Sequence, residues 1–139
     1  MKCNARTLHS WAGIVLANEQ IVKVVNRVIK NKNKRENWEN VEILIIDEVS
    51  MLSKKFFDIL DNIGKNIRKN TEPFGGIQVV FSGDFYQLPP VNSCDQDINA
   101  SLFCFESENW YKMFNNIHIL KKIFRQDNEN FSKLLNNIR

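Results

Sequence analysis

Two short apolar runs that each end in polar residues constrain the fold of this chain more than any other feature. VEILII at 41–46 is followed by an Asp-Glu pair, and IQVVF at 77–81 is followed by Ser-Gly-Asp. Continuous aliphatic and β-branched runs of this length are typical of strands that are buried on both faces of a parallel sheet. Helical patterns follow each run, so the sequence predicts an α/β fold with a parallel sheet and right-handed crossovers.

The first predicted helices follow from the spacing of apolar residues. Residues 19–31 repeat apolar side chains at helical spacing, and a second helix is predicted to begin after Ser53, a residue type favoured at a helix N-cap. The turn region at 70–76 ends that helix. The polar run KNKNKR at 30–35 and the residues up to Trp38 are interpreted as a solvated loop without a function of its own.

The last third of the chain continues the same alternation. A helix is predicted around 107–114, a third apolar run, IHIL, follows at 117–120, and apolar residues at helical spacing predict a closing helix at about 128–138. We find no internal repeat, low-complexity tract or linker. With 43% hydrophobic residues, the composition suits one globular domain with a single core.

Cysteine, histidine and charge usage exclude several kinds of protein. Cys3, Cys94 and Cys104 are odd in number and widely spaced, which argues against a disulfide framework, and neither His9 nor His118 has zinc-ligand spacing around it. No stretch approaches the roughly 18 apolar residues that a membrane span needs. The net charge of +3 is compatible with a polyanionic partner but does not identify one. We therefore expect an intracellular protein that binds no membrane.

Polar residues at the ends of the predicted strands are candidates for a nucleotide site, because open parallel sheets bind ligands beyond the carboxyl ends of their strands. Asp47, Glu48, Asp84 and Gln87 would lie along one such rim. In nucleotide hydrolases, an Asp-Glu pair at this place divides two tasks: one carboxylate holds a magnesium-bound water and the other polarises the attacking water. The alternative is an acidic pair that only solvates the end of a strand.

The segment FSGDFYQLPPV at 81–91 is the most specific in the chain. Its glycine permits a tight exit from the strand and its two prolines stiffen the following corner, so Gln87 would be held with little freedom and could hydrogen bond to a γ-phosphate. A stiff turn that contains glutamine by chance is the alternative. Phe85 and Tyr86 could stack on bases or pack under the corner, and the sequence does not decide between the two.

Four ordered segments resemble a known family. DEVSM at 47–51 and GDFYQLPPV at 83–91 look like motifs II and III of the Pif-type (petite integration frequency) DNA helicases of superfamily 1B. TLHSWAGI at 7–14 resembles motif Ia of that family, and FRQ at 124–126 resembles its motif IV region. The resemblance implies that residues 1–139 form part of the first RecA-like domain, a three-layer P-loop NTPase fold with a parallel sheet.

The resemblance also assigns roles in a site for ATP and Mg²⁺. Asp47 would coordinate Mg²⁺, Glu48 would be the catalytic carboxylate, and Gln87 would contact the γ-phosphate, with Asp84 beside it in the nucleotide site. Arg125 would be the motif IV arginine, which stabilises the charge on the transferred phosphoryl group. A structural ion pair is the alternative for Arg125, and it would be favoured without the FRQ context.

By the same resemblance, single-stranded DNA would contact Thr7, His9 and Ser10, through their hydroxyl groups and imidazole, as well as Phe85. Trp11 would stack or pack behind them. A histidine in this position could also be purely structural.

The sequence departs from the family in one respect. A phosphate-binding loop of the form GxxxxGK[ST] is expected in such a motor, and none of the five glycines of this chain lies in such a pattern. We therefore expect a partial domain that lacks the first strand, the phosphate loop and the second RecA-like domain. Apolar faces should be uncovered, and the isolated chain should be inactive and poorly stable.

The predicted function is that of an ATP-dependent DNA helicase segment, from a monomeric motor that moves 5′ to 3′ on single-stranded DNA and opens duplex junctions. DNA repair, recombination and telomere maintenance, in the nucleus or mitochondrion of a eukaryote, are the processes that the resemblance implies. A non-catalytic single-strand-binding remnant of such a motor is the second hypothesis. A different nucleotide-driven machine is the third, and GDFYQLPPV argues against it.

Overall fold

The computed structural model describes residues 5–15, 19–91, 101–114 and 116–122. The predicted closing helix at 128–138 and Arg125 lie outside the described residues.

The described residues form a mixture of helices and strands, in which three helices precede the first strand. The helices are α1 (Leu8–Ala12), α2 (Ile21–Lys30), α3 (Lys32–Asn40), α4 (Lys54–Arg68) and α5 (Trp110–Met113). The strands are β1 (Ile43–Ile46) and β2 (Gln78–Phe81), and short 3₁₀ turns occupy Val49–Met51, Pro73–Gly76 and Cys104–Glu106.

The two strands form a parallel pair, which confirms the predicted sheet type. Ile43 is paired with Gln78 and Ile46 with Phe81, and α4 provides the crossover between them. Among the described residues the sheet has these two strands, β1 and β2. The third apolar run at 117–120 takes no strand conformation and its side chains are exposed.

The α4 helix organises the core. Ser53 caps it as predicted, since its hydroxyl accepts a hydrogen bond from the Phe56 amide at 3.2 Å. The apolar face of α4 packs against α2 and the 3₁₀ turn before β2, where Phe57 and Phe74 are fully buried and meet edge to face at 5.6 Å. This face contributes Phe56, Phe57, Ile59, Leu60 and Ile63 to the buried core that holds the helices on the sheet.

The prediction of a loop through Trp38 is wrong, because Lys32–Asn40 form the helix α3. Asn31 caps it by accepting from the Lys34 amide, and Arg35 and Glu39 form an i,i+4 ion pair at 3.2 Å. The fully buried Trp38 side chain anchors the helix in the core. The sequence does not predict this helix, because its residues are mostly polar and a single buried tryptophan gives no apolar period.

The prediction that β1 is buried on both faces is also wrong. Leu44 and Ile46 are buried, but Ile43 and Ile45 are 54% and 69% exposed, so that among the described residues only one face of the strand is covered. The expectation of an uncovered apolar face is met at this surface.

In the part of the chain that the structure describes, no helix combines the length and apolar character that a membrane crossing requires.

Candidate functional site

The ends of β1 and β2 are joined by backbone hydrogen bonds beyond the strands themselves. The Ser82 amide donates to the Ile46 carbonyl at 2.9 Å, and the Val49 amide donates to the Ser82 carbonyl at 3.1 Å. The Asp-Glu pair and the Ser-Gly-Asp segment therefore leave the sheet at the same edge, as the sequence predicts for adjacent parallel strands. Their side chains can face one ligand only because the segments that follow β1 and β2 are held together by these hydrogen bonds.

Gly83 allows this close approach. A Cβ atom at Gly83 would lie 2.7 Å from the Val49 amide nitrogen and 3.0 Å from its Cγ1 atom. A backbone atom cannot move aside as a flexible side chain can, so any other residue at this position would push the two strand ends apart.

Glu48 turns the chain sharply at the end of β1. Its φ of 55° and ψ of 46° place it in the left-handed region, which costs a non-glycine residue on the order of 1–3 kcal/mol and persists only where neighbouring contacts impose it. Here Val49 and Ser50 directly after it are buried, the Val49 amide is held by the Ser82 carbonyl, and the Glu48 carbonyl accepts from the Met51 amide at 3.1 Å. Asp47 and Glu48 both remain exposed, so this bend presents two adjacent carboxylates to solvent at one place.

Asp84 organises the corner that follows β2. Its carboxylate accepts from the Tyr86 amide at 3.1 Å and from the Gln87 side-chain amide at 3.3 Å, while its carbonyl accepts from the Gln87 backbone amide at 2.9 Å. Gln87 is exposed. Because one N–H of its side chain is held by Asp84, the other is the donor that can reach a phosphate oxygen.

The two aromatic residues of this corner, Phe85 and Tyr86, differ in their exposure to solvent. The half-buried Phe85 ring meets Phe105 at 4.8 Å and Phe103 at 5.8 Å, both edge to face, so it packs under the corner. Tyr86 is 82% exposed. DNA contact by Phe85 stays a prediction, and Tyr86 is the aromatic ring with a free face, a difference that the sequence alone does not show.

The α1 helix presents the residues predicted to contact DNA. Thr7 is its N-cap, with its hydroxyl oxygen accepting from the Ser10 amide at 3.4 Å, and Thr7, His9 and Ser10 are exposed. The His9 ring also stacks on Phe56 at 4.2 Å. Partial burial lowers the pKa of His9 below its usual value, so the neutral imidazole predominates at pH 7 and would offer a hydrogen bond rather than a charge.

The two parts of the candidate site meet on the first turn of α4. His9 packs on Phe56, and α4 begins a few residues after the bend at Glu48. Residues 47–49 and 82–87 together form the strand-end corner. The structure thus connects α1 to this corner through α4, although α1 itself does not belong to it. Arg125, the predicted partner of Glu48 and Gln87, lies outside the described residues.

Cys104 is not a candidate nucleophile. It is buried, and burial raises the pKa of its thiol to about 12. A thiolate, rather than a thiol, is the reactive form, so a structural role follows.

The described residues contain no cluster of three or more His, Cys, Asp or Glu side chains that could hold a metal ion. Mg²⁺ does not need such a cluster, because it commonly takes one or two protein carboxylates and fills its other positions with water and phosphate oxygens. The exposed Asp47 carboxylate fits that requirement.

Known proteins match nearly the whole chain. It is 44% identical over 133 residues to the Saccharomyces cerevisiae protein named ATP-dependent DNA helicase RRM3, a match that covers 96% of this chain and 18% of that protein. The chain therefore spans about a fifth of the length of this relative.

Solved structures match the fold as well. A crystal structure of Pif1 helicase from Candida albicans has a TM-score of 0.86 at 41% identity, over 95% of this chain and 29% of that one. A Bacteroides Pif1 helicase in complex with ADP-AlF3 and single-stranded DNA has a TM-score of 0.75 at 33% identity, over 94% and 32%. These likenesses confirm the predicted partial RecA-like α/β fold.

The family model described as PIF1-like helicase matches residues 2–139, and together with these relatives it shows that the chain belongs to the PIF1-like helicase family.

Proposed function

We propose that this chain is part of the first RecA-like domain of an ATP-dependent DNA helicase. The observation that carries the proposal is the strand-end corner, where backbone hydrogen bonds hold the exposed Asp47 and Glu48 beside the segment that leads to Gln87. Relatives named ATP-dependent DNA helicase support it.

In this proposal each polar residue of the corner has a distinct task. Asp47 would hold Mg²⁺, which supplies charge neutralisation on the phosphates when bound. Glu48 would orient and polarise the attacking water, and Gln87, oriented by Asp84, would donate its remaining side-chain N–H to the γ-phosphate. Arg125 is proposed to complete the site as the group that stabilises charge on the transferred phosphoryl.

DNA contact is proposed for Thr7, His9 and Ser10 of α1 and for Phe85, with single strands and duplex junctions as substrates. The Bacteroides relative was crystallised with single-stranded DNA, and another structure concerns forked duplex DNA and two coordinating Pif1 helicases. We extend the proposal to 5′ to 3′ translocation by a monomeric motor in DNA repair, recombination and telomere maintenance, in the nucleus or mitochondrion.

The second candidate is a non-catalytic single-strand-binding protein derived from such a motor. The exposed polar residues of α1, which would contact DNA without a nucleotide site, are the observation that favours it. ATP turnover separates the two candidates, because the remnant would bind DNA without hydrolysing ATP.

The decisive experiment replaces Glu48 by Gln in the complete protein that contains this chain. Loss of the polarising carboxylate should lower DNA-stimulated ATP turnover by about 10²- to 10⁴-fold while single-strand affinity is retained. Glu42→Gln is the matched control, because Glu42 is an exposed glutamate just before the opposite end of β1. Its turnover should stay near that of the parent. Equal turnover in Glu48→Gln and the parent would overturn the assignment of Glu48.

A further inference from the structure

The carboxyl end of α1 is closed by side chains from a different helix. An α-helix leaves its last four carbonyls without partners in the helix proper. In α1 the first of these, His9, accepts from the amides of Gly13 and Ile14, both at 3.0 Å. The remaining three, Ser10, Trp11 and Ala12, receive hydrogen bonds from α3.

The three donors lie on one face of α3. The Lys34 ammonium donates to the Ser10 carbonyl at 2.5 Å. The Asn37 side-chain amide donates to the Trp11 carbonyl at 2.9 Å, and the indole N–H of Trp38 donates to the Ala12 carbonyl at 3.2 Å. Residues three and four positions apart face the same side of a helix, so α3 meets three successive carbonyls with one surface.

Packing reinforces these hydrogen bonds. Gly13 ends α1 in the left-handed region, with a φ of 79°, and a Cβ atom there would lie 2.8 Å from Cγ of Lys34. The aliphatic stem of Lys34 therefore occupies the space that a side chain at position 13 would need. The Trp11 and Trp38 rings are in contact as well, with centroids 4.7 Å apart.

A helix as short as α1 depends on such contacts. Five residues form little more than one turn, and isolated helices shorter than about 12–15 residues are marginal in water. The positive charge of Lys34 at the carboxyl end is also favourable for the helix dipole. The orientation of α1, and with it the direction in which Thr7 and Ser10 point, consequently depends on the donors of α3 as well as on the packing of His9 against α4.

We propose that Lys34, Asn37 and Trp38 are positioning residues for single-stranded DNA: they hold α1 so that its exposed polar residues meet the strand, without contacting DNA themselves. The inference rests on the proposed function, in which α1 contacts DNA. It gives a role to the polar run at 30–35 that the sequence left without one.

The first test compares three lysine variants in the complete protein. Lys34→Met keeps the aliphatic stem but removes the donor, Lys34→Arg restores a cationic donor, and Lys32→Met removes the same charge from an exposed lysine of α3 that pairs only distantly with Glu36, at 3.9 Å. Single-strand affinity, its salt dependence, and ATP turnover at saturating DNA are measured for each.

We expect Lys34→Met to weaken single-strand affinity about fivefold, with turnover at saturating DNA unchanged, since a hydrogen bond is lost from the support of α1 and not from the hydrolysis site. Lys34→Arg should recover most of the affinity, and Lys32→Met should resemble the parent. The slope of log affinity against log salt should be the same in Lys34→Met and the parent, because a positioning residue neutralises no phosphate.

A neutral pair repeats the test without a charge change. Asn37→Ala removes the donor to Trp11, and Asn33→Ala changes an exposed asparagine of the same helix. Asn37→Ala should weaken single-strand affinity to a similar degree, whereas Asn33→Ala should not. This pair keeps the proposal testable without altering Trp38, whose loss from the core would unfold the protein.

Three outcomes would overturn the proposal. Equal effects of Lys34→Met and Lys32→Met would reveal a general charge effect, and a salt slope reduced by about one would reveal a direct phosphate contact. If turnover at saturating DNA fell in Lys34→Met as much as single-strand affinity does, Lys34 would have a general structural role. Failure of the proposed function looks different: Thr7→Ala and Ser10→Ala would then leave affinity unchanged, or Glu48→Gln would leave turnover unchanged.

Discussion

The strand-end corner and the α1 helix are held in place by different kinds of contact. At the corner, backbone amides and carbonyls of β1 and β2 bond to each other directly, and Gly83 makes the approach possible. At α1, side chains of α3 supply the support. The backbone of the corner should therefore keep its geometry through most side-chain changes outside Gly83, whereas the position of α1 should respond to the loss of single donors on another helix.

The largest effect that this comparison predicts comes from Gly83→Val. The new side chain would meet the Val49 backbone and separate the strand ends, so ATP turnover should fall by at least about 100-fold, as expected for displaced catalytic groups. Steady-state turnover at saturating DNA is the measurement. Ser82→Ala is the control, because Ser82 contributes backbone hydrogen bonds at the same junction. A fully active Gly83→Val variant would show that the close approach is not required.

A smaller effect is expected where the corner relies on a side chain. Asp84→Ala removes the acceptor for the Gln87 amide and for the Tyr86 backbone, so Gln87 should lose its fixed orientation and turnover should fall about tenfold. Gln87→Ala should cost a similar amount.

A double-mutant cycle tests whether these two residues act as one unit. The double variant Asp84→Ala with Gln87→Ala should be little worse than Gln87→Ala, because the effects of coupled residues do not add. Additive losses in turnover would mean that Asp84 acts on the nucleotide independently of Gln87.

The smallest effect concerns pH at α1. Partial burial of the imidazole, which packs on Phe56, lowers the pKa of His9, so the unfolded chain binds a proton more readily than the folded one. The neutral form thus contributes stability that is fully present above the unfolded pKa of about 6.5 and is lost as the pH falls towards the lowered folded value.

Melting temperatures measured between pH 7.5 and 5 would show this contribution. In His9→Gln the fall in melting temperature over this range should be shallower than in the parent. His118→Gln, which changes an exposed histidine, is the control and should follow the parent. Parallel curves for His9→Gln and the parent would show that His9 does not contribute to the pH dependence of stability.

Predictability differed between the elements for a physical reason. The Ser53 cap, the face of α4 and the parallel strands depend on residues close in sequence or on continuous apolar runs, and the structure confirms all three. The helix α3 was missed, because its stability depends on a local cap and on a buried Trp38 rather than on an apolar period. The exposed face of β1 was missed because the run VEILII looks the same whether one face or both are covered.

By itself, the sequence determined the order of the motifs, the pair of parallel strands and the polar residues at their carboxyl ends, because these are properties of local pattern. Only the tertiary structure decided that Phe85 packs while Tyr86 is exposed, that His9 stacks on Phe56, and that α3 closes the end of α1. Such contacts join residues as far as 47 positions apart, as between His9 and Phe56. No local period encodes them, since they form only when separate elements pack on one core.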